Sequence, residues 1–167
     1  RLRNENQILS ARVQMFDDIM MLLHSSPATK SHGMGEDLVW KIEKFKTDKL
    51  GAFHCMLKGR GVPIGEEFTR LMRGRTLVMS DTPAEMRDHY AAVRNAKGPC
   101  LINGLGIGMV LKAILKKSEV TDVTVVELSQ EVMDMVSPYY KDARVTFVKS
   151  DALEYKPPAG KRYQMVW

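Results

Sequence analysis

Gly104-Leu105-Gly106-Ile107-Gly108 separates a short apolar run from a run with helix-forming residues. Glycines at this spacing let the chain turn sharply and let a ligand reach the backbone without meeting a side chain. The helix that follows such a turn offers unpaired N–H groups and the positive end of its dipole, a setting for a carboxylate or phosphate. Glu127 stands 23 residues after Gly104, at the end of the next apolar run. An acidic residue at that distance can accept hydrogen bonds from both hydroxyls of a ribose, as in dinucleotide-binding folds. Asp151 follows a third apolar run. Its carboxylate can accept from an exocyclic amine, and the N–H of Ala152 can reach a ring nitrogen. The alternative is that Asp151 caps the turn that follows it. With Leu105 and Leu128 as their neighbours, Gly104, Gly106, Gly108, Glu127, Asp151 and Ala152 form the candidate cofactor-binding set. No metal site is expected, because His24, His32, His54 and His89 are scattered without ligand spacing. His89 is expected at an ordinary surface position. Cys55 and Cys100 form no Cys-x-x-Cys, and no catalytic residue is legible.

The elements needed to position this set follow from periodicity. Cys100–Asn103, Val123–Val126, Val145–Val148 and Tyr163–Trp167 read as strands, with helices over Met109–Lys116 and from a Ser129 cap to about Tyr140. Strands alternating with helices predict an α/β protein, a partial Rossmann-like parallel sheet of about four strands with right-handed crossovers. Upstream, Phe68–Met72 and Thr76–Met79 around Arg73-Gly74-Arg75 predict a β-hairpin. Thr82, Pro83 and Glu85 predict a helix start with a capping box. Residues 1–65 are expected to be a helical N-terminal region. Leu9, Val13, Phe16, Met20 and Leu23 line one helix face, and Ser25–Gly35 reads as a loop. A second helix is expected from Glu36 to about Lys58 on Leu38, Ile42 and Phe45, resuming with Leu50, Phe53 and Leu57 after a break at Gly51. Gly59–Gly65 reads as a linker, so the expected division is 1–65 and 66–167.

Composition narrows the classes. Of 167 residues, 44% are apolar and 27% charged, which suits a globular chain and excludes wholesale disorder. The longest uncharged stretch, Gly98–Leu111, has 14 residues. A membrane span needs roughly 18 or more apolar residues, so no membrane partner is expected. Two cysteines make no disulfide scaffold, and thiols in apolar surroundings suit a reducing, cytoplasmic setting. No secretory signal pattern is present. The first residue is Arg1 and the last, Trp167, falls inside a strand pattern, so a piece of a longer chain is expected. The net charge of +5 is densest from Lys58 to Arg75. That patch permits nucleic acid as a partner without requiring it.

From Pro99 to Trp167 the sequence resembles the first half of class I S-adenosylmethionine-dependent methyltransferases. CLINGLGIG is similar to their first motif, VTVVELS to the second, VTFVKSDALEY to the third, and YQMVW to the strand entering the fourth. RLMRGRTLVMSDTPAEMRDHY resembles the hairpin and helix that precede the first motif in the spermidine-synthase-like branch. The resemblance implies S-adenosyl-L-methionine as cofactor. Gly104, Gly106 and Gly108 would bind its methionine part, Glu127 its ribose, and Asp151 with Ala152 its adenine. It also implies the strand order 3-2-1-4, with the fourth strand an exposed edge at which copies of the chain could associate. Catalytic residues of the family lie at or beyond that strand, so the expectation is a methyltransferase cofactor-binding half with its methyl acceptor unread. Departures are Ile102 where the family often has an acid, Ile107 where aminopropyltransferases have Asp, and Met79 near their Gln. They weigh against a polyamine product. An aminopropyltransferase and a non-catalytic Rossmann-like module stay open. So does a nicotinamide dehydrogenase, although Met109 stands where its third glycine belongs.

Overall fold

A computed structural model describes residues 39–167. The helix expected on Leu9 to Leu23, the loop Ser25–Gly35, His24 and His32 lie outside the described residues. Seven strands and four helices follow in chain order: β1 Trp40–Lys46, α1 Lys49–Leu57, β2 Glu67–Arg73, β3 Thr76–Ser80, α2 Pro83–Asn95, β4 Gly98–Asn103, α3 Met109–Ile114, β5 Val120–Glu127, α4 Gln130–Val136, β6 Val145–Lys149 and β7 Met165–Val166. A single 3-10 turn, Ser137–Tyr139, extends α4. The strands form two sheets, an antiparallel one ordered β1-β2-β3 and a parallel one ordered β6-β5-β4-β7.

The parallel sheet with its helices is the expected α/β Rossmann-like unit, and its order is the expected 3-2-1-4. Both faces of a parallel sheet are covered, so its strands carry continuous apolar runs rather than alternation. Cys100, Leu101 and Ile102 of β4 and Val123, Val125 and Val126 of β5 are all buried. Helices α2, α3 and α4 add Met86, Val93, Leu111, Ile114, Val132 and Val136 to the same core. The strand β7 adjoins β4 over Cys100↔Met165 and Leu101↔Val166, and Trp167 continues the ladder by donating to Leu101 O at 2.9 Å.

The first sheet corrects one expectation. Trp40–Lys46 is a strand, not part of a helix, and it pairs with β2 along its whole length. Leu38, Ile42 and Phe45 fit helical spacing, yet the alternation Trp40, Ile42, Lys44 fits a strand as well. Cross-strand partners decide it. Glu43 meets Arg70 at 2.6 Å, Lys44 donates to Thr69 Oγ1 at 2.8 Å, and the guanidinium of Arg73 sits 5.4 Å from the Trp40 ring centre. The expected hairpin, β2 and β3, is therefore two-thirds of a three-stranded sheet. The second half of the expected helix survives as α1, and Asp48 caps it by accepting from Gly51 N at 2.7 Å. Among the described residues no helix is long and apolar enough to cross a membrane.

The helix α2 begins at Pro83 as expected, but the capping box is altered. Glu85 does not reach back to Thr82 N; it accepts from Ser80 N at 2.6 Å and from the Ser80 hydroxyl. Its carboxylate thus ties the start of α2 to the end of β3. Burial pushes the Glu85 carboxyl above its ordinary pKa, against the lowering effect of the Ser80 bonds.

Candidate functional site

The chain leaves β4 at Asn103 and turns through Gly104, Gly106 and Gly108, with φ of 91°, 53° and 79°. All three lie in the left-handed region that side chains disfavour, so the glycines are required by the turn itself. The turn is held from β5 and from outside the parallel sheet. Gly104 N donates to Val126 O at 2.7 Å. Leu105 N donates to Glu127 Oε2 at 2.7 Å, and Ser129 N to Glu127 Oε1 at 2.8 Å. One carboxylate at the end of β5 therefore ties together the two loops at the carboxyl edge of the sheet. Each oxygen has accepted one bond and has capacity for another. Helix α3 starts directly after the turn, with Gly108 as its N-cap, and is shorter than expected, ending at Ile114.

The three glycines differ in what faces them. A Cβ on Gly104 would meet nothing within 4 Å. A Cβ on Gly106 would overlap the Met79 sulfur, and one on Gly108 the Tyr140 ring. Ile107 N donates to Met79 Sδ at 3.4 Å, and the Tyr140 hydroxyl donates to Gly108 O at 3.0 Å. The turn is thus open at its first glycine and covered by this chain's own side chains at the other two. Burial pushes the Tyr140 phenol up to about 12, so it donates that bond as a neutral group at all ordinary pH.

Asp151 stands two residues past β6, on the same edge. Its Oδ1 accepts from Leu153 N at 2.8 Å and its carbonyl from Tyr155 N at 2.9 Å, which is the turn-capping arrangement. Ser150 N donates to Glu127 O at 3.1 Å, which places the Asp151 turn beside the end of β5. Leu128 and Ala152 are exposed. The carboxyl ends of β4, β5 and β6 thus bring Gly104, Glu127 and Asp151 to one rim. The strand order reverses at β4, between β5 and β7, and crevices for ligands form at such switch points in open α/β sheets.

Besides Tyr140, three residues that matter here escaped the sequence reading. His89 is not an ordinary surface residue: both ring nitrogens are buried without a hydrogen-bond partner. Its ring stands edge-on to Trp167, 5.4 Å between centres, and burial holds the imidazole below its ordinary pKa. Its placement three residues after Met86 and four before Val93 was the available signal, since both line the buried face of α2. Asp81 is 1% exposed; its Oδ1 accepts from Thr69 N at 2.5 Å and its Oδ2 has no partner. Met79 was noted only as a departure from a family pattern. Nothing in the sequence signals that its thioether reaches the glycine turn.

An open parallel sheet flanked by helices, with a glycine turn after β4, defines a Rossmann-like α/β architecture. No family model matches the chain, and no curated protein matches it. Among solved structures it is similar to a spermidine synthase from Thermotoga maritima, with 19% identity over 77% of this chain and a TM-score of 0.47. It is also similar to a spermidine synthase in complex with the transition-state analogue AdoDATO, with 18% identity over 79% of this chain and a TM-score of 0.46. The chain spans 42% and 44% of the length of those two proteins. An archaeal alanine dehydrogenase dimer with bound NAD is similar at 14% identity over 84% of this chain, with a TM-score of 0.34 and 52% of its own length covered.

Proposed function

We propose that the rim built by Gly104, Glu127 and Asp151 binds S-adenosyl-L-methionine, and that this chain is the cofactor-binding half of a methyltransferase. In this reading residues 66–167 are the binding unit, with β1 and α1 added in front of it. The observation that carries the reading is the Glu127 carboxylate, fixed by two backbone N–H groups at the mouth of a left-handed glycine turn. It is orientated, its remaining lone pairs face no competing side chain among its hydrogen bonds, and a ribose diol needs two such acceptors. The open side of Gly104 leaves room for the ligand backbone. The exposed Leu128 and Ala152 flank the position of a purine ring, with Asp151 as acceptor for its amine. Met79 must swing off Gly106 to admit the methionine part, a low-cost motion for an unbranched thioether side chain.

S-adenosyl-L-methionine supplies an activated methyl group, so the protein's share of the work is orientation and exclusion of water rather than acid–base chemistry. The residues described here bind and orient. His89, with both ring nitrogens buried, packs edge-on against Trp167 at the carboxyl end of β7. Methyltransferase rather than aminopropyltransferase is favoured by Ile107 in the turn, which is fully buried and brings no carboxylate for an amine.

Titration calorimetry with S-adenosylhomocysteine and, separately, NADH tests the assignment. S-adenosylhomocysteine is expected to bind and NADH not to. Loss of bonds to a charged acceptor predicts that Glu127→Ala weakens S-adenosylhomocysteine by about tenfold or more. Preference for NADH, or an unchanged dissociation constant in Glu127→Ala, would overturn the reading.

A further inference from the structure

We propose that Met79 decides which adenosine compounds the rim admits. A ligand that ends at its ribose binds without disturbing Met79, whereas one with an amino-acid tail on the 5′ carbon must displace its thioether. This rests on the reading of the rim given above and names a specificity-determining residue within it. In that reading the ribose lies at Glu127, which accepts from Leu105 N at 2.7 Å, and a Cβ on the neighbouring Gly104 would meet nothing within 4 Å. The next step along the turn is closed. The Met79 sulfur lies against Gly106, where it would collide with a Cβ, and it accepts from Ile107 N at 3.4 Å. A backbone N–H in a glycine turn before a helix is the kind of donor that a bound carboxylate takes. Here a thioether of this chain already holds it.

The two side chains that cover the turn differ in how readily they yield. Tyr140 covers Gly108 with a ring, and its hydroxyl donates to Gly108 O at 3.0 Å. Met79 covers Gly106 with an unbranched, half-buried side chain that rotates about three bonds. A thioether is also a weak acceptor. A carboxylate on the same N–H makes a bond roughly twice as strong as a neutral acceptor does. A tailed ligand can therefore exchange with the sulfur, at the cost of the Met79 contacts, and a tail-less one has no means or need to do so. Only the side chain is free to move. Met79 pairs with Leu71 across β2 and β3. Ser80, next to it, donates to Glu85 through both its N at 2.6 Å and its hydroxyl. Asp81 then accepts from Thr69 N at 2.5 Å. The strand end is pinned at each of these residues, so Gly106 is uncovered by a change of rotamer and not by a shift of β3.

The test is calorimetric titration of the full chain with adenosine and with S-adenosylhomocysteine, in the parent, Met79→Ala and Met79→Leu, with circular dichroism as the check on folding. Met79→Ala is expected to tighten S-adenosylhomocysteine about three- to tenfold, the span of one net hydrogen bond, and to leave adenosine within about twofold. Met79→Leu keeps the bulk, branches it at Cγ and is expected not to tighten either ligand. A second readout needs no stable variant for its result, only for its assignment. In methyl NMR of isotope-labelled methionine, the resonance that either variant removes is expected to move when S-adenosylhomocysteine is added to the parent and to stay in place with adenosine. An unchanged S-adenosylhomocysteine constant in Met79→Ala, equal tightening of both ligands, equal tightening in Met79→Leu, or a Met79 resonance that ignores S-adenosylhomocysteine would each overturn the inference and leave the rim reading standing. Binding of neither ligand to the parent or the variants would overturn the rim reading, and the inference with it.

Discussion

In the parallel sheet β4 buries Cys100, Leu101 and Ile102 in succession, whereas in the antiparallel sheet β1 buries only Ile42 of its seven residues. The parallel sheet is held by apolar area removed from water on both faces. The antiparallel sheet is held by a few central side chains, Phe68 and Leu71 of β2, and by a mesh of surface pairs. Arg70 sits 5.0 Å from the Phe45 ring centre and pairs with Glu43, while Arg73 lies over Trp40. The two sheets meet where Met79 and Asp81, at the end of β3, reach across to the glycine turn and back to β2. The difference teaches where sequence change is tolerated. The site-bearing sheet leaves little slack, and the sheet that leans on it leaves much.

The largest expected effect breaks that comparison if it fails. Val125 is 0% exposed at the centre of β5, so Val125→Asp buries a charge without a partner and is expected to cost several kcal/mol, enough to unfold the chain. The matching change in the other sheet, Leu77→Asp on β3, replaces a side chain that is 54% exposed and is expected to stay within about 0.5 kcal/mol. Urea denaturation followed by circular dichroism measures both. Similar midpoints for the two variants would mean that the sheets do not differ as described.

A smaller effect sharpens the contrast within the turn. Gly104→Ala and Gly108→Ala both force a side chain to positive φ, at about 1 kcal/mol each. Only Gly108→Ala also drives a methyl into the Tyr140 ring, so its total is expected to reach about 2–3 kcal/mol. Tyr140→Ala combined with Gly108→Ala is expected to cost less than the sum of the two single changes, because the clash is removed with the ring. Strict additivity would show that Tyr140 yields freely and does not cover the turn.

Legibility in the sequence followed the same division. Runs such as CLIN and VTVVE read as strands buried on both faces, and their alternation with helices carried the parallel sheet, while its order β6-β5-β4-β7 was legible only through the family resemblance. The glycine turn and Glu127 were readable because each rests on a local demand, positive φ and a strand end. The first strand was not readable, because Ile42 fits a helical period with Phe45 and an extended period with Trp40, and only β2, some 20 residues later, decides between them. Met79, Tyr140 and His89 were missed for a related reason. Their roles arise from long-range approach, Met79 to Ile107, Tyr140 to Gly108 and His89 to Trp167, which no local pattern encodes.

The smallest expected effect compares the two sheets through their ion pairs. The Arg144 side chain and backbone beside Asp142 hold its carboxyl at about 2, well below the ordinary 3.8. On β1, the Lys41 side chain first and Arg70 next hold Glu43 below its ordinary 4.5. A carboxyl depressed in the folded state adds stability above its unfolded pKa and loses it as pH falls through the folded one. The Asp142 increment should therefore fade between about 4 and about 2, and the Glu43 increment should begin to fade from about 4.5. Both groups are near the surface, so both increments are small and shrink with added salt. Urea midpoints measured from pH 6 to pH 2 are expected to fall less steeply in Asp142→Asn at the acid end, and in Glu43→Gln at the start of the descent. Arg144 keeps its bonds to Leu115 O and Val120 O in the first variant, so the connection from α3 to β5 stays in place and the change isolates the charge. An Asp142→Asn profile that parallels the parent down to pH 2 would show that Arg144 works as a carbonyl clamp alone.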